Sequence, residues 1–337
     1  MESTRKAVAT FLGAAGGHTI SFGQNMTSLN YSLARAIGRY LKVGDEILIT
    51  QLDHEANREP WLSLESEGII IREVKLKSDG TLDYYDFKSK VSEKTKLVAM
   101  GYASNITGAV NDVETIRKIT HQIGAWLLLD AVHYAPHFPI DVQKIGCDFL
   151  LCSAYKFYGP HVGLLYARPG ILDRLPTDRL RTTVQHAPYS IETGTLNHAA
   201  IAGVKASIEF IASMSKEKGL RNRILDAMTK IGKHERELAI QLYQGLNQIK
   251  SIRVIGPTFK SPMRAPTISF TVDGKTPEDV CKLLAKENIF GWAGHFYALR
   301  AIEVLGLLEK GGVTRLGMSV YSSEEDVKRA LKVLKGI

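Results

Sequence analysis

The sequence predicts an α/β protein in which a large domain, built on a mainly parallel β-sheet, precedes a smaller C-terminal α+β domain. Three observations predict it. Two short apolar runs, Trp126–Leu129 and Phe149–Cys152, are too short for helices and read as strands buried on both faces. Runs of this kind alternate with amphipathic segments through the first half of the chain, the pattern of a right-handed parallel sheet. A long periodic segment, Leu220–Ile249, then leads into a shorter set of strand and helix signals. The expected division is residues 1–225 for the large domain and 226–337 for the linking helix and small domain.

In chain order, MESTRKAVATFLGA reads as an amphipathic helix with Val8, Phe11 and Leu12 on one side, broken by the Gly13–Gly17 cluster. That cluster does not have GxGxxG spacing and reads as a linker. TISFGQNMTSLNYSLARAIGRYL predicts a short strand, a turn at Gly23 and a helix carrying Leu29, Leu33, Ile37 and Leu41. A strand–glycine–helix junction offers backbone N–H groups and the positive helix end to an anion. Glu46–Thr50 is a strand leading to the polar stretch LDHEAN. GIIIREVKLKSDGTLDYYDFKSKVSEKTKLVAMGYASN then gives a strand, a DG turn, a helix and another strand. A helix over Val113–Gly124 leads into the two apolar runs. After Pro169 come connecting segments, then SIETGTLN before an Ala-rich helix that Thr195 or Asn197 would cap. The C-terminal region predicts strands at Ile252–Ile255 and APTISFTVDG, a helix at Thr276–Glu287 and a loop, GWAGHFYALRAIEVLG. It closes on a strand and a capped helix, VTRLGMSVYSSEEDVKRALKVL.

Composition narrows the class. At 45% hydrophobic and 23% charged the chain is ordinary for a soluble globular protein, and no apolar run is long enough to cross a bilayer. Three widely spaced cysteines give neither a disulfide framework nor a zinc pattern, which predicts a cytoplasmic protein without a structural metal. The net charge of +8 is spread among acids, as in KEKGLRNR, with no basic block of the nucleic-acid-binding kind. An anionic cofactor and an amino-acid carboxylate are sufficient partners for the surplus near a site.

In a parallel sheet, ligands sit beyond the carboxyl ends of the strands. The first apolar run delivers Asp130 and His133 to that edge, and the second delivers Ser153, Tyr155 and Lys156. An acid and a lysine on one rim suit pyridoxal phosphate (PLP), the lysine forming a Schiff base and the acid keeping the pyridine nitrogen protonated. Spacing alone leaves other readings open. A lysine after a strand is usually solvated, an aspartate there is often a helix cap, and Asp130, His133 and His137 could be put forward as metal ligands.

The wording of the stretch is more specific. DAVHYAPHFPIDVQKIGCDFLLCSAYKFYGP resembles the cysteine desulfurase branch of the class V aminotransferases, in which an Asp-x-x-Gln/His precedes a cDF strand, Ser-x-x-Lys and Gly-Pro. GDE-strand-LDHEAN-x-x-PW, the SN-x-x-G of ASNITGAV, ETGTLN and VTRLGMS are similar to further elements of that family. The resemblance covers essentially the whole chain. It implies a fold-type I PLP enzyme with a mainly parallel seven-stranded sheet, acting as a homodimer on an amino acid. Lys156 would carry the cofactor and Asp130 would pair with the pyridine N–H. His54 would stack on the ring, and His133 and Asn105 would lie beside the phenolic oxygen. Gln24, Asn25, Met26, Ser153 and Tyr155 would surround the phosphate, and Thr195 would reach that of a neighbouring subunit. Arg315, with Asn105, would bind the substrate carboxylate, which a guanidinium fork matches better than a lysine can.

Two departures stand out. The family loop reads G-H-x-C-A, whereas here it reads Gly294-His295-Phe296-Tyr297-Ala298, with tyrosine where the sulfur-accepting cysteine belongs. Cys147, Cys152 and Cys281 fall in strand-like or helical settings and read as inert. In that family a segment of several dozen residues also precedes the helix that starts here near Ser3, so either a shortened chain or a natively open, altered site is expected. Desulfurase-like or C–S lyase chemistry is the favoured outcome. A transaminase or epimerase of another amino acid, or a catalytically silent PLP fold, are the alternatives, and the sequence identifies no sulfur acceptor.

Overall fold

The computed structural model describes residues 1–260 and 263–337. Helix α1 (Glu2–Leu12) ends on Gly13 in the left-handed conformation, which Gly adopts without a Cβ clash, so the expected linker begins as a helix cap. Strand β1 (Ile20–Gly23) and helix α2 (Met26–Tyr40) follow, then β2 (Glu46–Thr50) and a single turn, α3 (Glu59–Leu62). Next come β3 (Ile70–Val74), α4 (Tyr84–Lys90), β4 (Thr95–Gly101), α5 (Val113–Gln122) and β5 (Trp126–Asp130). The turn α6 (Val142–Ile145) joins β5 to β6 (Phe149–Ser153), and β7 (Gly163–Ala167) closes the first sheet.

These strands form one seven-stranded sheet in the order β1-β7-β6-β5-β4-β2-β3. The five strands from β3 to β6 are parallel, while β7 runs antiparallel to β6 and β1 antiparallel to β7. Two reversals leave β1 pointing the same way as β6, so their carboxyl ends share one edge. The apolar runs are continuous because both faces are covered. Leu127, Leu129, Leu150 and Cys152 face the layer containing α1, α7 (His198–Ser213) and part of α8 (Leu220–Leu246). Leu128, Phe149 and Leu151 face α2 and Trp61. Each such side chain contributes about 1.5–3 kcal/mol by leaving water.

Helix α8 spans both cores. Ile224, Ala227, Met228 and Ile231 pack into the large layer, and Leu238, Ala239, Leu242 and Leu246 pack into the C-terminal one. The expected boundary at residues 225 and 226 therefore falls inside a continuous helix.

The second sheet is antiparallel, in the order β10-β11-β9-β8, from β8 (Ile252–Ile255), β9 (Thr267–Val272), β10 (Trp292–Gly294) and β11 (Val313–Gly317). Helices α9 (Pro277–Lys286), α10 (Leu299–Val304) and α11 (Glu324–Lys335) accompany it, the last begun by a Ser323–Asp326 capping box. The stretch expected to be a loop thus holds an edge strand and a short helix. Three residues pairing on one side carry too little alternation to be seen in a sequence. A further apolar cluster, including Leu52, Ile106, Ile255, Ala298, Ile302 and Val313, lies between the two sheets.

Candidate active site

Five strand ends and the middle of a sixth strand supply the site. β1 leads to Gln24–Met26, β2 to His54, β4 to Asn105, β5 to Asp130 and His133, β6 to Ser153 and Lys156, and β11 brings Arg315 from the second sheet. The backbone at the β1 end is drawn in tightly. A Cβ on Gly163, which is paired with both Gly23 and Ser153, would collide with the Asn25 main chain. That close approach lets Met26 N–H donate to Ser153 Oγ at 3.0 Å. The Asn25 side chain is engaged in the α2 capping box with Ser28, and the Met26 side chain is buried in the core. Their N–H groups are engaged too, that of Asn25 by Ser28 Oγ and that of Met26 by Ser153 Oγ, so they offer helix-end charge rather than side chains, whereas Gln24 is exposed. Tyr155 is partly exposed at the rim, its ring stacked 4.7 Å from that of His161, which sequence reasoning did not single out.

Deeper in, charges are pushed toward neutrality. Asp130 is buried, and that burial raises its pKa to about 6 against the pull of the Val132 N–H and the Lys156 amine. Its Oδ1 accepts from Val132 N–H at 2.9 Å, and Oδ2 makes no hydrogen bond among the described residues. Lys156 is exposed at the sheet edge, where partial desolvation lowers its pKa, the nearby Arg315 charge lowers it further, and Asp130 opposes both. Burial, with Lys156 and Arg315, drops His54 to about 4. Its Nδ1 accepts from Ala56 N–H at 3.0 Å, so the neutral ring carries its proton on Nε2. His133 is likewise held well below the usual imidazole range by burial and by the charges of His137, Arg315 and Lys156. Its Nε2 lies 3.1 Å from Thr267 Oγ1. His137 turns away to Glu235, 2.8 Å from its Nδ1, and does not join a cluster with Asp130.

Arg315 is half-buried, and desolvation alone brings its pKa to about 10. Its Nη1 donates to the Asn105 carbonyl at 2.9 Å, while Asn105 Nδ2 donates to the Phe296 carbonyl at 2.9 Å. The Phe296 ring covers the guanidinium, with its centroid 3.9 Å from Cζ. Neither Phe296 nor its contact was expected, because a residue in an unassigned loop carries no periodic signal. The adjacent Tyr297 ring leans on His54 with centroids 5.5 Å apart and is largely exposed.

Thr195 lies on an exposed turn ahead of α7, and it is Asn197 that caps the helix, accepting from Ala200 N–H. The glutamate of ETGTLN has a structural task. Glu192 takes two hydrogen bonds of 2.7 Å from the fully buried Arg5, whose guanidinium lies between Phe22 and Tyr189. Cys147 and Cys152 are buried with thiols pushed up by desolvation, and Cys281 on α9 is raised as well.

The donor set fits PLP. Asp130 has an unshared carboxylate oxygen for a ring nitrogen, Lys156 is an amine of weakened basicity for an aldehyde, and the junction of β1 and α2 presents the positive helix end to a phosphate.

Comparison with known proteins bears on this fit. The family model described as aminotransferase class-V matches residues 1–330. A protein named probable cysteine desulfurase from Synechocystis is 31% identical over 350 residues, covering 99% of this chain and 79% of that protein. A cysteine desulfurase from Yersinia pseudotuberculosis is 31% identical over 352 residues, covering 100% of this chain and 82% of its own. Among solved structures, the apo cysteine desulfurase of Thermococcus onnurineus superposes with a TM-score of 0.88 at 29% identity, over 99% of this chain and 82% of that one.

Proposed function

The chain belongs to the aminotransferase class-V family, and from that membership we propose that it is a PLP enzyme that breaks the Cβ–S bond of a cysteine-like amino acid. The observation that carries the reading is the meeting of three groups, two at the carboxyl edge of the first sheet and one brought from the second. They are a buried carboxylate at the end of β5, an amine of lowered pKa after β6 and a guanidinium with no carboxylate partner among the described residues. Bound there, PLP supplies an electron sink for charge developing at the substrate Cα.

The remaining work falls to the chain's own residues. Lys156 holds the cofactor and, once exchanged for the substrate amine, takes the Cα proton; its lowered pKa keeps a larger share of it unprotonated near neutral pH. Asp130 holds a proton on the ring nitrogen. His54 presents a flat, uncharged face to the ring, and its Nε2–H is free to donate. His133 and Asn105 address the phenolic oxygen. Gln24, Asn25, Met26, Ser153 and Tyr155 enclose the phosphate, and the exposed Thr195 serves the phosphate of a second copy in a homodimer. Arg315 takes the substrate carboxylate. With Tyr297 in the loop where a thiol would accept sulfur, the sulfur leaves to solvent as sulfide. We assign the enzyme to the cytoplasm. Among the described residues no helix is long and apolar enough to cross a membrane.

The test is the visible absorbance of the purified protein given PLP, compared with Lys156→Ala, followed by L-cysteine. A band lost in the variant, then alanine with sulfide that appears only when a thiol reductant such as dithiothreitol is supplied, supports desulfuration. Sulfide with pyruvate and ammonia identifies elimination. A protein that stays colourless with PLP overturns the enzyme reading.

A further inference from the structure

We propose that Phe296 is the positioning residue of the carboxylate grip, fixing Arg315 so that its Nε/Nη2 edge meets the substrate. The inference rests on the proposed role of Arg315. A guanidinium has two bidentate edges, one made by its two Nη groups and one made by Nε–H with Nη2–H. The Asn105 carbonyl takes one of the two Nη1 protons, which ties that end of the guanidinium to the protein. The Phe296 ring lies over one face at 3.9 Å and blocks approach from that side. The side-on pair is wholly unengaged, as neither of its nitrogens hydrogen-bonds to a described residue.

Phe296 is itself held firmly. Its carbonyl accepts from Asn105 Nδ2, so Arg315, Asn105 and Phe296 brace one another. The next residue is anchored twice, as Tyr297 O accepts from Glu55 N–H at 2.7 Å and Tyr297 N–H donates to His295 Nδ1 at 3.1 Å. Phe296 and Tyr297 have φ of 55° and 58°, a conformation that side-chain-bearing residues enter only where their surroundings impose it. That strained pair turns the Phe296 ring back onto Arg315. Trp292, paired in register with Arg315 on the neighbouring strand, meets the Phe296 ring edge-on at 6.4 Å. At 71% exposure Trp292 is the one solvent-facing tryptophan, and its emission reports on the loop.

Without the ring the guanidinium can swing away from the side-on orientation, and ground-state binding of the carboxylate weakens while proton transfer at Lys156 is untouched. In the holoenzyme, Phe296→Ala is expected to raise KM for L-cysteine about tenfold, the range of a desolvated cation–π contact, with kcat nearly unchanged. Phe296→Tyr keeps the ring and should restore KM. Phe296→Leu keeps the apolar volume without the ring, guards against simple loss of folding and should lie between.

The second measurement is titration of Trp292 emission with L-alanine, which has no β-leaving group, and with cysteamine, which has no carboxylate. Phe296→Ala should weaken alanine and leave cysteamine as in the wild type. An unchanged or lowered KM in Phe296→Ala would make the ring a bystander or an obstruction and overturn the inference. So would equal weakening of cysteamine, which would mark general damage to the site. If the wild-type holoenzyme binds neither compound, the proposed function falls and this inference with it.

Discussion

Asp130→Asn should make the cofactor-free protein more stable, and only at neutral and higher pH. An aspartate carboxyl in water titrates at 3.8, and burial raises that of Asp130 to about 6 in the fold. An acid whose folded pKa lies above its unfolded one binds more protons when folded, so stability falls as pH rises. The contribution is fully present below pH 3.8, is lost progressively as pH approaches 6, and stays lost above that. The gap between 3.8 and about 6 corresponds to about 3 kcal/mol. Asparagine stays neutral throughout and can still accept the Val132 N–H, so the variant avoids the loss. With an unfolding entropy of about 0.7 kcal/mol per kelvin for a chain of this length, the gain is about 4 °C in Tm at about pH 8. Melting curves of the stripped wild type and variant across this pH range provide the assay. PLP should cancel the advantage, because the wild-type carboxylate then acquires a partner in the ring nitrogen. A variant that melts no higher than the wild type at about pH 8, or one whose advantage persists below pH 4, would refute the burial account of Asp130.

Three further outcomes are expected. Arg315→Lys keeps the charge but loses the planar fork, and should raise KM for an amino-acid substrate by about 10- to 100-fold in steady-state assays. Ser153→Ala leaves the buried Met26 N–H without its acceptor, and should destabilise the cofactor-free protein by about 1–3 kcal/mol in denaturant titrations. Tyr297→Cys puts a thiol on the exposed loop; intact-mass measurement after L-cysteine should find an added sulfur on the variant and none on the wild type.

Much of the large domain was legible in the chain. Strands buried on both faces must be apolar without interruption, and β2, β5 and β6 were marked by short runs of that kind bounded by polar residues. The ends of those strands also located His54, Asp130, Ser153 and Lys156, since a residue after a parallel strand has only the sheet edge to occupy. Local chemistry narrowed the α7 cap to Thr195 or Asn197, of which Asn197 caps, and marked the last helix as capped, which Ser323 does. The loop around Phe296 was illegible for the opposite reason. β10 is a three-residue edge strand and α10 only six residues long, too short for either periodicity to emerge.

What sequence alone determined, then, was the kind of groups at the sheet edge and the order in which the chain delivers them. The tertiary structure decided their state and their partners. Only packing could show that Asn25 and Met26 spend their side chains on α2 and the core, or that Glu192 is tied to Arg5. Only burial could bring Asp130 and His54 toward neutrality, because desolvation depends on everything around a charge and is encoded at no single position. The meeting of Phe296, Asn105 and Arg315 joins distant segments, two of its contacts spanning sequence separations of 191 and 210. Contacts at that range follow from how the two sheets close on each other, and no local pattern in the sequence carries them.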